Sequence, residues 1–595
     1  MLYDDRFTDI NHMFELTKDD KDSNDIVLVC RSVLEKTIDL IFDAQSVKKP
    51  VDAQLLELIN NEAIQSFLGN DTMIDALHFV RIVGINALHG KHIRRSQAKV
   101  ALDNTEYLLS VVKEKLGLGE KPTIVSEHSV VLTGALPPAM SEYETRKVYI
   151  DLYLEEAGWD VVPPVQKTKL PNGKEVVCGS VIPGKACCEI QVTGLPHGSG
   201  IGFCDYVLYG KNGKPLAVVE AKRTSEEASK GQQQVRQYGM CLQKQYGYTP
   251  ILYYTNGYDI YIIDGKYPAR KIAAYHTIDE LEYLIQKRDI KSIVDTTINT
   301  DIAGRPYQHM AITAIVDRFN SMYRRSLLVM ATGTGKTRTA IALVELLFRN
   351  NWIKNVLFLA DRTSLVRQAF KNFKKLLPDY TYNVISDPSL ANDPNARVSF
   401  STHQTMINYI DNEDKRFSVG RFDLIIIDEA HRSIFNKYGA IISYFDCLLV
   451  GLTATPKEEV DANTYAIFNC ESGVPNFSYS LEDAVRDHYL VPYKLINRKV
   501  KSLEEGIQYK DLSPDDKARL ALLTDSDYDE DSIIKSELFR KVYNIDSCRR
   551  VLDDLMTMGL RVEQGQVIGK TIIFAVNHFH ADMIVNTFND MYYVQ

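Results

Sequence analysis

Apolar positions fall into four textures along the chain. In the first, VLVCRSVLEKTIDLIFDA sets Val27, Val29, Val33, Leu34, Ile38, Leu40 and Ile41 at roughly helical spacing. Two more helical stretches follow, at Ile74–Leu88 and Lys99–Leu116. Gly117, Gly119 and Pro122 close the block, which predicts a helical N-terminal domain over residues 1–125. The period then shifts. After a predicted helix at Ser141–Gly158 come short β-rich runs (CDYVLYG, LAVVEAK, PILYYTNG) separated by KNGKP and QYGYT turns, which predict a compact α/β domain over 140–265. Residues 266–299 read as a connector, helical from Tyr275 onward. From 300 to 475, SLLVMA, NVLFLAD, VSFST, DLIIID and LLVGLTA alternate with amphipathic helices. Continuous Val/Ile/Leu runs of this kind predict parallel strands buried on both faces. The last block, 476–595, carries the acidic loop DSDYDEDS (Asp525–Ser532) and one more predicted strand, TIIFAV (Thr571–Val576).

Composition narrows the class of protein. At 595 residues the chain is too long for one core, and 45% apolar with 25% charged residues excludes wholesale disorder and fibrous repeats. Lys+Arg 69 against Asp+Glu 78 gives a net charge of −9, so nucleic-acid contact must come from local basic grooves rather than a polybasic coat. Nine cysteines without a CxxC pair point to a reducing compartment. The first twenty residues lack the basic and apolar regions of a signal peptide, and no apolar run approaches membrane-span length. The chain therefore reads as cytoplasmic, with no membrane partner.

The strongest chemical signal is LLVMATGTGKTRTAIALVELL. A buried strand ends at Met330, a Gly-rich loop follows, and Lys336-Thr337 opens an amphipathic helix, the context a phosphate-binding loop requires. Thr332, Gly333, Thr334 and Gly335 let backbone N–H groups converge on phosphates, and the helix N-terminus adds favourable partial charge. Lys336 would reach the β/γ-phosphates of ATP and Thr337 would sit on Mg²⁺. One departure stands out: the strict pattern begins with Gly where this chain has Met330. Downstream, FDLIIIDEAHRS ends a buried strand in two carboxylates. Asp428 would hold Mg²⁺ through its water shell, and Glu429 would orient or deprotonate the attacking water. The third strand, LLVGLTATP, places Thr453 and Thr455 where their hydroxyls can sense the γ-phosphate.

A second constellation lies in CDYVLYGKNGKPLAVVEAKRT. Glu220 and Lys222 are two apart on one strand and so share a face, and a hairpin brings Asp205 alongside. Two carboxylates at one point call for a hard cation such as Mg²⁺ on Asp205 and Glu220, with Lys222 stabilising developing charge or holding the water. In isolation such a pattern is more often a hairpin with a surface Glu–Lys pair. The flanking apolar strand and the motor-like sequence downstream reverse that balance.

The order of the first set of motifs resembles superfamily 2 helicases and translocases of the D-E-A-H type. The likeness extends to Gln308 in RPYQHMAI, which matches the adenine-reading glutamine, and to ADRTSLVRQA and STHQTM, which resemble segments that touch the nucleic-acid backbone. TIIFAV resembles the first strand of a second RecA-like domain. The later family motifs, including the arginine that completes the site, are absent, so the resemblance implies a C-terminally truncated fragment that binds ATP and hydrolyses it poorly. The D…ExK spacing resembles the PD-(D/E)xK nucleases, although Cys204 replaces the usual Pro before Asp205. Gln234 and Tyr238 match the Q-x-x-x-Y element of one nuclease subgroup. SEYETRKVYIDLYLEEAGWDVV resembles that fold's first helix, where Glu144, or else Glu142, would add a metal contact.

A nuclease followed by a motor, with the YSLEDAVRDHYLVPY segment, resembles the motor/endonuclease (R) subunit of type I restriction–modification enzymes. The resemblance implies a multidomain α/β architecture: a helical N-terminal domain, a PD-(D/E)xK nuclease domain, a first RecA-like domain and an incomplete second one. It further implies ATP- and Mg²⁺-dependent cleavage of double-stranded DNA after translocation, with methyltransferase (M) and specificity (S) subunits as partners. Two alternatives stay open: a stand-alone repair or phage-defence helicase–nuclease, and a translocase whose α/β module merely grips DNA.

Weaker signals read structurally. Cys178, Cys187, Cys188, His197 and Cys204 fit no common zinc spacing and read as buried thiols. RIVGINALHGKH places Arg81, Asn86 and His89 on a helix resembling a small domain found ahead of restriction subunits; a buried polar network is the plainer reading. The KNFKK run reads as a solvated helix face.

Overall fold

The computed structural model describes residues 2–18, 22–50, 53–69, 71–88, 93, 95–118, 145–169, 175–196, 200–223, 227–257, 259–290, 292–411, 417–430, 439–455, 464–493, 495, 507–508, 517, 533–534 and 545–592. It forms two compact units, Met1–Val491 and Pro492–Gln595.

The first unit opens with helices Leu2–Thr17, Ser23–Ala44, Leu55–Ile59, Glu62–Leu68, Asp71–Leu88 and Arg95–Leu116. Asp22 caps Ser23–Ala44 by accepting the backbone N–H groups of Asn24 and Asp25. The buried stripe Val27, Cys30, Val33, Leu34, Ile38 and Ile41 faces inward as the periodicity predicts. These helices share one apolar core with a face of the sheet that follows, Phe79 meeting Tyr149 at 4.6 Å between ring centroids.

That sheet comprises β1 (Val161–Val162), β4 (Ala186–Thr193), β5 (Ile201–Tyr209), β6 (Pro215–Ala221), β7 (Ile251–Thr255), β8 (Ile260–Ile263) and β9 (Arg270–Ile272), in the order β1-β4-β5-β6-β7-β8-β9. A separate hairpin pairs β2 (Gln166–Lys169) with β3 (Glu175–Cys178). β4–β5 and β5–β6 are antiparallel, and the five-residue turn after Tyr209 uses Gly213 at φ +72°. β6 and β7 are parallel, joined by the helix Gln232–Tyr246, which covers the sheet's second face through Val235, Tyr238 and Leu242. Between 266 and 299, β9 adds to this sheet and the helix Ile278–Lys287 follows, so the predicted connector is strand in part and is neither helix nor strand over 292–299.

The second large sheet is wholly parallel, in the order β12-β13-β11-β14-β15-β10-β16. Its strands are β10 (Arg325–Met330), β11 (Val356–Ala360), β12 (Tyr382–Val384), β13 (Val398–Thr402), β14 (Leu424–Asp428), β15 (Leu448–Thr453) and β16 (Phe477–Tyr479). Nearly every position is buried, because helices cover both faces. The helix Thr363–Leu376 buries Val366, Ala369, Phe370 and Phe373, which leaves Lys371, Lys374 and Lys375 exposed. β16 pairs with β10, so this sheet extends past residue 475, the boundary expected from the sequence, and its unit ends at Val491.

The second unit contains two-residue antiparallel ladders, β17 (Ile507–Gln508) with β18 (Ile533–Ile534) and β19 (Arg561–Val562) with β20 (Val567–Ile568), plus helices Ile545–Met558 and His578–Tyr592. The strand expected at Thr571–Val576 is not formed. Among the described residues no strand pairs with it, and Ile572 and Phe574 are 80% and 90% exposed. Apolar, β-prone residues become a strand only where a neighbour accepts their backbone groups. The acidic loop 525–532 lies outside the described residues. Among the described residues no helix is long and apolar enough to cross a membrane.

Candidate functional site

Two sites take shape from these sheets. At the first, β10 runs into a loop whose Gly333 and Gly335 adopt φ +88° and +90°, and the helix Lys336–Arg349 begins immediately. A Cβ on Gly335 would stand 2.7 Å from the Gln308 side-chain nitrogen, so glycine there meets both a backbone and a spatial demand. Gln308 is buried and donates from Nε2 to the Thr334 carbonyl at 3.2 Å. The Tyr307 hydroxyl donates to the same carbonyl at 2.7 Å. Lys336 folds back to the Met330 carbonyl at 3.2 Å, Thr337 follows in the first helical turn, and Thr332 is exposed at the loop's rim.

Asp428 ends β14, two strands from β10; the ladder runs Asp428↔Leu452 and Leu452↔Leu328, so it stands level with the end of the phosphate-loop strand. Burial, then the neighbouring Glu429, pushes its carboxyl up to about 6, against the pull of Lys336. Glu429 sits at φ +53°, and its N–H donates to Asp428 Oδ1 at 3.1 Å. Thr453 is buried and its Oγ1 accepts the Thr455 N–H at 3.2 Å, while Thr455 is exposed. The structure also brings in a stack that the sequence did not announce. Tyr307 lies on Tyr479 at 4.0 Å between ring centroids, and Tyr489 meets it edge-on at 5.1 Å.

At the second site, one ladder step beyond Tyr206↔Val219, Asp205 on β5 stands across from Glu220 on β6. Both are almost fully buried. Asp205 Oδ2 accepts the Ala221 N–H at 2.7 Å. Lys222 Nζ donates to Glu220 Oε1 at 2.5 Å and to Gln234 Oε1 at 3.1 Å, and Gln234 Nε2 donates to the Tyr238 hydroxyl at 2.9 Å. Burial raises the Tyr238 hydroxyl well above its ordinary range, so it stays protonated. The five residues singled out around D…ExK thus form one connected cluster. Glu144 and Glu142 lie outside the described residues.

Two members of this cluster were missed in the sequence. Glu189 on β4 falls between the ladder pairs Cys188↔Tyr206 and Ile190↔Cys204, level with Asp205, and takes φ +53°. Arg146 donates from Nη1 both to Glu189 and, at 2.9 Å, to Asp205 Oδ1. A lone acid inside the apolar run ACCEIQV was the available signal for Glu189; Arg146 lies in the SEYETRKVY stretch likened to the nuclease fold's first helix but was not singled out there.

Cys178, Cys187, Cys188 and Cys204 are buried and free, and His197 lies outside the described residues. Arg81 is buried on the helix Asp71–Leu88, its carbonyl accepting from Arg31 Nη1 at 3.4 Å. The Asn86 side chain and His89 lie outside the described residues. Among the described residues no group of three or more His, Cys, Asp or Glu side chains is placed to hold a metal ion.

Comparisons with known proteins agree with this layout. Residues 187–271 match the family model for the type I restriction enzyme R protein N terminus, and residues 301–458 match that for the type III restriction enzyme res subunit. The chain is 30% identical over 370 residues to the type I restriction enzyme EcoAI endonuclease subunit of Escherichia coli, covering 57% of this chain and 42% of that one. It is 27% identical over 526 residues to the EcoKI endonuclease subunit of E. coli K12, covering 75% and 43%. The chain therefore spans about two fifths of the length of these curated relatives. A fragment structure assigned to an HsdR subunit from Vibrio vulnificus YJ016 aligns over 76% of this chain and 75% of that one, with 25% identity and a TM-score of 0.33. The sequence matches are thus to restriction-enzyme subunits, with the res-subunit model lying over the parallel sheet. These matches support an HsdR-type endonuclease subunit of a type I restriction enzyme.

Proposed function

We propose that this chain supplies the ATP-driven motor and the Mg²⁺-dependent nuclease of a type I restriction enzyme, acting on double-stranded DNA with methyltransferase and specificity subunits. What carries the reading is the pairing, on one chain, of a phosphate-binding loop facing Asp428 with a buried Asp205–Glu220–Lys222 cluster on a separate sheet. The donor set fits Mg²⁺, which commonly takes one or two carboxylates and completes its shell with water and phosphate oxygens. Asp205 and Glu220 would hold it at the nuclease site; Asp428 and Thr337 would hold it with ATP.

When bound, the metal supplies Lewis-acid stabilisation and an acidified water. The chain's own groups do the rest. Lys222, anchored by Glu220 and Gln234, presents its ammonium to the phosphate and to the charge that builds on its oxygens. Tyr238 locks Gln234, and thereby the lysine's direction. At the motor, Gly333 and Gly335 leave the loop's N–H groups free to converge on phosphates, Lys336 swings from the Met330 carbonyl onto the β/γ-phosphates, and Glu429 orients the attacking water. Gln308 reads the adenine edge, and Thr453 and Thr455 sense the γ-phosphate.

The test is Lys222→Ala in a complex reconstituted with the methyltransferase and specificity subunits. DNA cleavage is expected to fall by at least about a hundredfold while ATP hydrolysis persists. Unchanged nicking would leave the second sheet a DNA-gripping module only.

A further inference from the structure

Arg146 is a buried cation seated on the carboxylate assigned to the metal. Its Nη1 is shared between Asp205 Oδ1 and Glu189, its Nη2 donates to the Asp205 carbonyl at 3.3 Å, and its guanidinium lies 5.0 Å from the Tyr206 ring centre. The Tyr206 hydroxyl donates in turn to Asp151 at 2.7 Å and to the Arg146 carbonyl at 3.3 Å, tying the arginine's backbone to the strand that carries Asp205.

We propose that Arg146 is a resident cation that holds Asp205 until a divalent ion arrives, and that Glu189 receives Arg146 when Asp205 turns to the ion. This inference rests on the reading of Asp205 and Glu220 as the metal-holding pair. Glu189, Asp205 and Glu220 bring negative charge to the cluster, and Arg146 and Lys222 balance it in part. A divalent ion added next to Asp205 repels the guanidinium at close range. A buried guanidinium cannot simply leave, because an unpaired buried charge costs several kcal/mol. It needs a second partner within reach, and Glu189 already touches the same nitrogen. The Glu189 side chain is 32% exposed against 9% for Asp205, so it can follow the arginine outward. Its φ of +53° turns the side chain out of the regular strand alternation toward Arg146. Lys222 cannot play this part, being held by Glu220 and Gln234. Arg146 and Glu189 are thus positioning residues, acting through Asp205.

The experiment titrates Mn²⁺ into the full chain and follows free ion by electron paramagnetic resonance, counting as site binding what Asp205→Asn removes. Glu189→Gln is expected to weaken site binding about tenfold, since Arg146 is then left with Asp205 alone. Arg146→Gln is expected to bind at least as tightly as the wild type, and Glu189→Gln combined with Arg146→Gln is expected to return to within about threefold of it. If Arg146→Gln melts early, Arg146→Met carries the same comparison, because it keeps an unbranched apolar stem and removes the charge. A double variant as weak as Glu189→Gln makes Glu189 a source of charge for the metal and overturns the proposal, as does unchanged binding in Glu189→Gln. A wild type without Asp205-dependent Mn²⁺ binding overturns the metal-site reading itself, and this inference with it.

Discussion

Arg270 and Asp446 form a bidentate pair across the junction of the two large sheets, Nε to Oδ1 and Nη2 to Oδ2 both at 2.7 Å. Arg324 adds a third contact at 2.7 Å and His276 Nε2 approaches at 3.4 Å. Asp446 lies just before β15, whose far end carries Thr453. Asp423, held by Lys287 at 3.1 Å, lies just before β14, whose far end carries Asp428. β9 and the helix Ile278–Lys287 therefore hold the roots of the two strands that end in Thr453 and Asp428.

Asp446→Asn takes the carboxylate from Arg324 and leaves Arg270 with Asp264 alone, at 2.8 Å. A loss of about 3–5 kcal/mol in unfolding free energy is expected from chemical denaturation of the first unit's transition. Burial works against the Asp446 carboxylate, but Arg324 and Arg270 outweigh it and hold the carboxyl well below its ordinary 3.8. A depressed folded-state value stabilises above the unfolded value and is lost as pH falls below it. The gap between wild type and variant should be full at pH 7 and shrink only below about pH 4. A gap independent of pH would show that the carboxylate's charge is not what matters.

Asp428 shows the opposite sign. Its carboxyl is raised to about 6 in the folded chain, so ionising it opposes folding. The penalty is absent below the ordinary carboxylate range, grows between about pH 4 and pH 6, and is complete above that. Asp428→Asn, which can still accept the Glu429 N–H, is expected to raise the melting temperature of the nucleotide-free chain at pH 8 and leave it unchanged at pH 4. An equal gain at both values would place its origin outside ionisation.

Gly335→Ala places a methyl group 2.7 Å from the Gln308 amide nitrogen at φ +90°. Backbone strain of about 1–3 kcal/mol is expected, together with displacement of Gln308 from the Thr334 carbonyl. Binding of a fluorescent ATP analogue should weaken by at least about tenfold. Unchanged affinity would mean that neither the loop's conformation nor Gln308 contributes to nucleotide binding.

The loop at Gly333–Gly335 was legible because its parts are contiguous: a buried strand, two glycines and a helix start within a dozen residues, and the geometry is local. Glu220 and Lys222 were legible for a similar reason, since residues two apart on a strand share a face. Gln234 and Tyr238, four apart on a helix, meet at 2.9 Å as their spacing requires. Thr571–Val576 shows the limit of such arguments. Its residues favour a strand, but pairing is a property of two segments, and no strand among the described residues pairs with it.

What the sequence alone determined was the set of elements and the chemistry that neighbouring residues carry together: the phosphate loop, the ExK strand, the acids at strand ends. Only the tertiary structure decided that Arg146 reaches Asp205 across fifty-nine positions, that Glu189 stands level with both, and that Asp446 meets Arg270 across 176. The reason is physical. Period and propensity act over a few residues, whereas strand order and burial bring distant charges together, and nothing local reports which partners burial will select.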